Sequence, residues 1–180
     1  MTIIWADWGD SDTRKLQRLW EGVPNVNLVH ITKRWNSVME RAVDLAIANE
    51  KDTLLFCGHG SSYGLFVPNS LTEYAIHQMN ANLIQAQRVV GIMCYGAEFA
   101  QRVGLHGLFS SMFISNVNEA VDYSIFTTRD TIHSTNEVIF GIISEYLVGN
   151  LTDEECLYKL RCESSTNEVA MFNANSVQFV

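Results

Sequence analysis

Leu54, Leu55, Phe56 and Cys57 follow Thr53 without a polar residue between them, and so lack the alternation of a strand that is wet on one face. A strand of this kind is expected where helices cover both faces of a mostly parallel sheet. Thr2 to Ala6, Asn27 to Ile31, Arg88 to Met93, Phe109 to Ile114 and Asn175 to Val180 read as further strands. Helical spacing fills the gaps. Ser11 or Asp12 can cap a helix carrying Leu16, Leu19 and Trp20, and Trp35, Val38, Met39, Ala42, Leu45 and Ala46 recur with a 3.6-residue period up to Asn49. A small hairpin is expected around Tyr63-Gly64. Later helices are predicted from Asn69 or Ser70 to Ala81, Ala97 to Val103, Asn118 to Tyr123, Thr135 to Val148 and Asp153 to Leu160.

Five or six strands interleaved with helices predict a three-layer α/β/α sandwich, because each crossover between parallel strands is right-handed and needs a covering helix. The chain has 180 residues, is 47% apolar, and shows no linker, repeat or low-complexity tract, which suits one domain. Twelve Lys and Arg against twenty Asp and Glu give a net charge of −8, and the basic residues are scattered. That distribution offers no footprint for a phosphate backbone, so nucleic acid is excluded as a partner. Cys57, Cys94, Cys156 and Cys162 are too few and too spread for a disulfide scaffold and form no CxxC pair, so they read as reduced thiols. The opening residues lack the basic and apolar regions of a secretory signal, and the most apolar later window carries Glu137 and Glu145. A cytoplasmic protein with no membrane partner is expected.

Chemistry concentrates at the ends of two apolar runs, Leu54-Leu55-Phe56-Cys57-Gly58-His59-Gly60 and Val89-Val90-Gly91-Ile92-Met93-Cys94-Tyr95-Gly96. If the two strands are parallel neighbours, about 5 Å apart, His59 and Cys94 leave the sheet side by side. Imidazole titrates near neutral pH, so it can take a thiol proton and return it to a leaving amine. The flanking glycines suit close approach of backbone to a substrate.

These two segments resemble the caspase-like cysteine peptidases, in which a hydrophobic strand ends in His-Gly and a later one ends in the nucleophilic Cys followed by a Gly-containing turn. The order, His before Cys, also fits. The resemblance implies a caspase-like fold with Cys94 as nucleophile and His59 as general acid and base. It also implies an oxyanion hole from the backbone N–H groups of Gly60 and Cys94, and a peptide or protein substrate. A helix beginning just after Cys94 independently favours negative charge there. In related enzymes the loop after the first strand lines the pocket for the P1 side chain, which implies that Asp7 or Asp10 pairs with a basic P1 residue. No metal or organic cofactor is required, and Asp7, Asp10 and Asp12 lack the rest of a calcium loop.

Other readings use the same residues. Buried cysteines at strand ends are usually inert, and Asp and Ser in such a loop commonly form turns and caps. Gly58, Gly60 and Gly64 also suggest a nucleotide-phosphate loop, although GxGxxG spacing is absent. A caspase-like fold without activity, serving as a binding or assembly module, is the remaining alternative. His30, His77, His106 and His133 lack a strand-end glycine setting and stay outside the site.

Overall fold

The computed structural model describes residues 1–32 and 35–180. Strands β1 (Thr2–Ala6), β2 (Asn27–Ile31) and β3 (Thr53–Cys57) fall where the apolar runs predict them. A small three-stranded sheet follows, made of β4 (Gly60–Ser61), β5 (Gly64–Phe66) and β6 (Tyr74–His77), and then come β7 (Arg88–Ile92), β8 (Leu108–Ser110) and β9 (Val177–Phe179). The main sheet has the order β2-β1-β3-β7-β8-β9, parallel except for β9, which runs antiparallel to β8. The helices are α1 (Ser11–Lys15), α2 (Ser37–Asn49), α3 (Gln78–Ala81), α4 (Gly96–Val103), α5 (Val117–Asp122), α6 (Arg129–Leu147), α7 (Asp153–Glu163) and α8 (Glu168–Ser176).

Alternate strand residues feed two separate cores, which explains the unbroken apolar runs. Ile3, Trp5, Leu55, Cys57, Val90 and Ile92 pack on one face with the 3-10 turn Leu16–Leu19 and with Ile139, Phe140 and Ile143 of α6. Ile4, Ala6, Leu54, Phe56 and Val89 pack on the other face with Val43 and Ile47 of α2, Phe99 of α4, and the small sheet. This is the expected α/β/α sandwich, with a mostly parallel six-stranded sheet between the helical layers. Among the described residues, no helix is long and apolar enough to cross a membrane.

Four local expectations need correction. The predicted helix from Asn69 or Ser70 to Ala81 is instead β6 and the single turn α3. The Ser70 hydroxyl accepts the Thr72 and Glu73 N–H groups and closes a turn, and pairing with β5 buries Ala75 and Ile76. The stripe of α2 that faces the sheet is Met39, Val43, Ala46 and Ile47, whereas Val38 and Leu45 are exposed. The strand predicted over Phe109 to Ile114 stops at Ser110. Lastly, the strand expected over Asn175 to Val180 begins only at Val177, because Asn175 and Ser176 close α8, a helix capped by Asn167, whose side chain accepts the Ala170 N–H.

The early end of β8 has a specific cause. Ile114 lies in a buried clamp rather than a ladder: Asn173 accepts its N–H at 2.7 Å and donates to its carbonyl at 2.9 Å. Asn136 donates to the same carbonyl at 3.0 Å and accepts from Asn173 at 2.8 Å. Residues of α6 and α8 thereby hold the loop that follows β8. Asn173→Ala leaves the Ile114 N–H and the Asn136 carbonyl oxygen unsatisfied in a dry interior, and is expected to destabilise the fold by about 3 kcal/mol. A urea midpoint unchanged from the parent would show that the clamp contributes nothing.

Candidate active site

From β1 the chain crosses to β2 on one side and then to β3 and β7 on the other, so the strand order reverses between β1 and β3. In open α/β sheets the carboxyl ends of strands at such a reversal open into a crevice. Three loops meet there: Asp7 to Asp10 after β1, Gly58 to Gly60 after β3, and Met93 to Gly96 after β7.

His59 emerges from β3 through Gly58, whose N–H extends the ladder to the Ile92 carbonyl at 3.1 Å. Gly58 has φ +145°, and a Cβ on it would stand 2.7 Å from the Ala6 carbonyl oxygen, so glycine is required between the ends of β1 and β3. The imidazole Nε2 lies 2.9 Å from Asp10 Oδ2, and the ring meets Trp8 edge-on at 5.1 Å. Asp10 is itself held: its Oδ1 accepts from the Asp12 N–H (3.0 Å), the Thr13 N–H (2.7 Å) and the Thr13 hydroxyl (2.9 Å), which makes it the N-cap of α1. Burial alone would raise the Asp10 carboxyl. The Thr13 amide, His59 and the Thr13 hydroxyl outweigh that and hold it below the ordinary aspartate range. An ionised Asp10 keeps the proton on Nε2 and leaves the lone pair of His59 on Nδ1.

Cys94 sits in a tight turn between β7 and α4, closed by the Gly96 N–H to the Met93 carbonyl at 3.2 Å. Tyr95 takes the left-handed conformation at φ +59°, and its N–H donates to the Ser111 carbonyl at 2.8 Å. A Cβ on Gly96 would fall 2.8 Å from the Ser110 carbonyl oxygen. The buried Ser110 hydroxyl accepts the Met93 N–H and donates to the Met93 carbonyl, both at 2.9 Å, and so fixes the residue just before the thiol. Burial, and then the charge of Glu119, push the Cys94 thiol up to about 11 against the opposing pull of its own amide. Alkylation of Cys94 by iodoacetamide should therefore climb until about pH 11. Glu119→Gln should move that rise to lower pH, since it removes a charge that disfavours the thiolate. A rate that is already flat above about pH 8 would contradict this.

His59 and Cys94 line one cleft that is open to solvent. Asp12, Lys15, Phe113 and Glu119 also line it. Gly60 stands beside it, with its Cβ position 2.7 Å from Met93 Sδ. The Phe66 N–H donates to the His59 carbonyl, so Gly60 and Leu65 form a non-hydrogen-bonded pair. The Gly60 N–H therefore points off the edge of the small sheet, away from β5.

Asp7 and Asp10, the residues expected to meet a basic P1 side chain, lie outside the lining of this cleft. Asp7 turns toward β2, where its Oδ2 lies 3.0 Å from His30 Nε2 and its Oδ1 accepts the Gly9 N–H at 2.8 Å. Asp10 is spent on His59 and the helix cap, and neither aspartate lines the cleft. The glycine spacing that suggests a phosphate loop has a packing cause instead. A hairpin follows Gly60 where such a loop would open a helix, and a Cβ on Gly64 would lie 1.9 Å from the Ile76 carbonyl oxygen. Among the described residues, no group of three or more His, Cys, Asp and Glu side chains is placed to hold a metal ion.

Reasoning from sequence missed Ser110, Glu119 and the pairing of Asp10 with His59. Ser110 stands second in the strand expected over Phe109 to Ile114 and carries no signal of its own in the sequence. No model of a known protein family matches the chain, no curated protein matches it, and no solved structure matches it.

Proposed function

We propose that the chain is a caspase-like cysteine peptidase in which Cys94 attacks the scissile carbonyl and His59 moves the proton. The observation that carries this reading is that one thiol and one carboxylate-paired imidazole line a single cleft, at the carboxyl ends of adjacent parallel strands. As Cys94 Sγ bonds to the carbonyl carbon, its proton passes to His59 Nδ1, and the imidazolium is stabilised by Asp10. The carbonyl electrons move to oxygen, where the amides of Gly60 and Cys94 are the candidate donors to the oxyanion. Collapse expels the amine with the proton from His59 and leaves a thioester. Water, deprotonated by His59, then hydrolyses the thioester and restores the thiol.

The raised thiol fits a nucleophile that is deprotonated only as it attacks, and it equally fits a non-catalytic binding module on the same fold. One experiment separates them: treatment of the whole chain at neutral pH with a panel of peptidyl acyloxymethyl ketones, followed by mass spectrometry. The peptidase reading expects an adduct on Cys94 that His59→Ala suppresses. Modification confined to Cys162, the exposed thiol, would leave the binding module as the better reading.

A further inference from the structure

We infer that Thr13 is a positioning residue for His59: its hydroxyl ties the Asp10 carboxylate to the Trp8 backbone, so that one side chain fixes both surfaces against which the imidazole rests. The inference rests on the peptidase reading and adds the group that keeps the proton carrier aimed at the thiol.

Thr13 Oγ1 makes two bonds of opposite sense, donating to Asp10 Oδ1 at 2.9 Å and accepting the Trp8 N–H at 3.2 Å. The senses are forced, because an ionised carboxylate only accepts and an amide N–H only donates. The last torsion of an aspartate is broad unless its oxygens are held. Here both the hydroxyl and the N–H of Thr13 hold Oδ1, the latter at 2.7 Å, which leaves Oδ2 directed at His59 Nε2, 2.9 Å away. Thr13 is itself immobilised. It is 2% exposed, its branched side chain has few rotamers in a helix, and its carbonyl accepts Trp5 Nε1 at 3.1 Å, which anchors it to the sheet.

Trp8 provides the second surface. Its ring stands 5.1 Å from the imidazole at an interplanar angle of 89°. Its indole Nε1 is, among the described residues, the one buried side-chain polar atom without a hydrogen-bond partner. Burying an unpaired donor is unfavourable, so the indole is held where it is by something else. The backbone supplies that hold, through the Trp8 N–H bond to Thr13 and the turn that the Gly9 N–H closes on Asp7 Oδ1. Without the Thr13 hydroxyl, the carboxylate and the indole each lose a restraint. Among the described residues the His59 ring has no hydrogen-bond partner besides Asp10, so its aim depends on these two.

The test uses Thr13→Val, which keeps the branched shape and the N–H that Asp10 needs to cap α1, and Thr13→Ser, which restores the hydroxyl. Two readouts apply. One is adduct formation on Cys94 with the peptidyl acyloxymethyl ketone that modifies the unaltered chain fastest. The other is the His59 tautomer, read at about pH 9, above the usual range of imidazole titration, from nitrogen chemical shifts of histidine-labelled protein and assigned against His59→Ala. Thr13→Val is expected to slow the bond-forming step, kinact, about 10-fold while the inhibition constant changes less than about 2-fold, and to turn a mainly Nε2-protonated imidazole into a mixture. Thr13→Ser should recover the parent tautomer and bring the rate to within about 3-fold of the parent. A purely structural role would move melting and leave this split and the tautomer untouched. Thermal melting checks that each variant is folded, and the tautomer of the unaltered chain needs no variant. A His59 protonated mainly on Nδ1 in the unaltered chain, a Thr13→Val protein that reacts as fast as the parent, or a Thr13→Ser protein as slow as Thr13→Val would overturn the inference, while an adduct on Cys94 of the unaltered chain keeps the peptidase reading. Failure of every probe to modify Cys94 in the unaltered chain would remove both.

Discussion

Cys94→Ala is expected to abolish peptide hydrolysis, a fall of at least ~10⁴-fold in kcat/KM, with the fold retained. The loss is large because no other group can replace the sulfur. Cys57, the thiol nearest in chain to His59, lies fully buried in the core, and burial pushes its thiol far up. Cys94 is half-buried and belongs to neither core cluster, so trimming one atom there leaves packing nearly unchanged. Cys57→Ala supplies the opposite pattern: activity kept, stability reduced by about 1–2 kcal/mol through lost burial. The pair of variants separates chemistry from packing. The measurement is hydrolysis of a fluorogenic peptide alongside urea unfolding, and a Cys94→Ala protein that still cleaves would discard the thioester route.

Physical reasons divide what the sequence displays from what it conceals. Strands β1 and β3 could be read to the residue because each is an apolar run, a local property, and the half-exposed β2 because Leu28, Val29 and Ile31 stand out after the turn at Pro24. The short β6 could not, since Tyr74 to His77 has no distinctive pattern alone and becomes a strand only by pairing with β5. The early end of β8 depends on Asn173 reaching Ile114, 59 residues away in the chain. The site divides in the same way. His59 and Cys94 were visible as strand-end residues, whereas Asp10 as the partner of His59 depends on a contact across 49 residues. Asp10 also looks like a common helix cap, and it is one. One side chain carries both roles, so the local signal hid the distant one.

Glu119 was concealed for a different reason. In sequence it is the first-turn acid of a short helix capped by Asn116, an ordinary surface position. Only the clamp on Ile114, which turns the loop after β8 inward, brings it to the same cleft as Cys94.

The second large effect is expected at His59 and its partner. His59→Ala should lower kcat/KM by ~10² to 10⁴-fold, the usual contribution of a positioned acid and base, without appreciable loss of stability, as the ring is 40% exposed. Asp10 offers a sharper test because two substitutions have opposite profiles. Asp10→Asn keeps an oxygen to accept the Thr13 N–H, so α1 stays capped, but its amide donates to Nε2 and drives the imidazole proton to Nδ1. The lone pair then lies on Nε2, engaged by the introduced amide and not free to take the thiol proton, and activity should fall about 10²-fold with stability held. Asp10→Ala removes the cap, costing about 1 kcal/mol, yet frees the imidazole to choose its tautomer, so activity should fall less than in Asp10→Asn. Acid sensitivity gives an independent reading. Because Asp10 is held below the ordinary aspartate range, its contribution is complete above about pH 4 and is lost as pH falls through the lowered value. Asp10→Asn should therefore flatten the acid limb of the stability curve relative to the parent. If Asp10→Asn and Asp10→Ala lose activity equally, or neither loses any, the carboxylate does not orient His59.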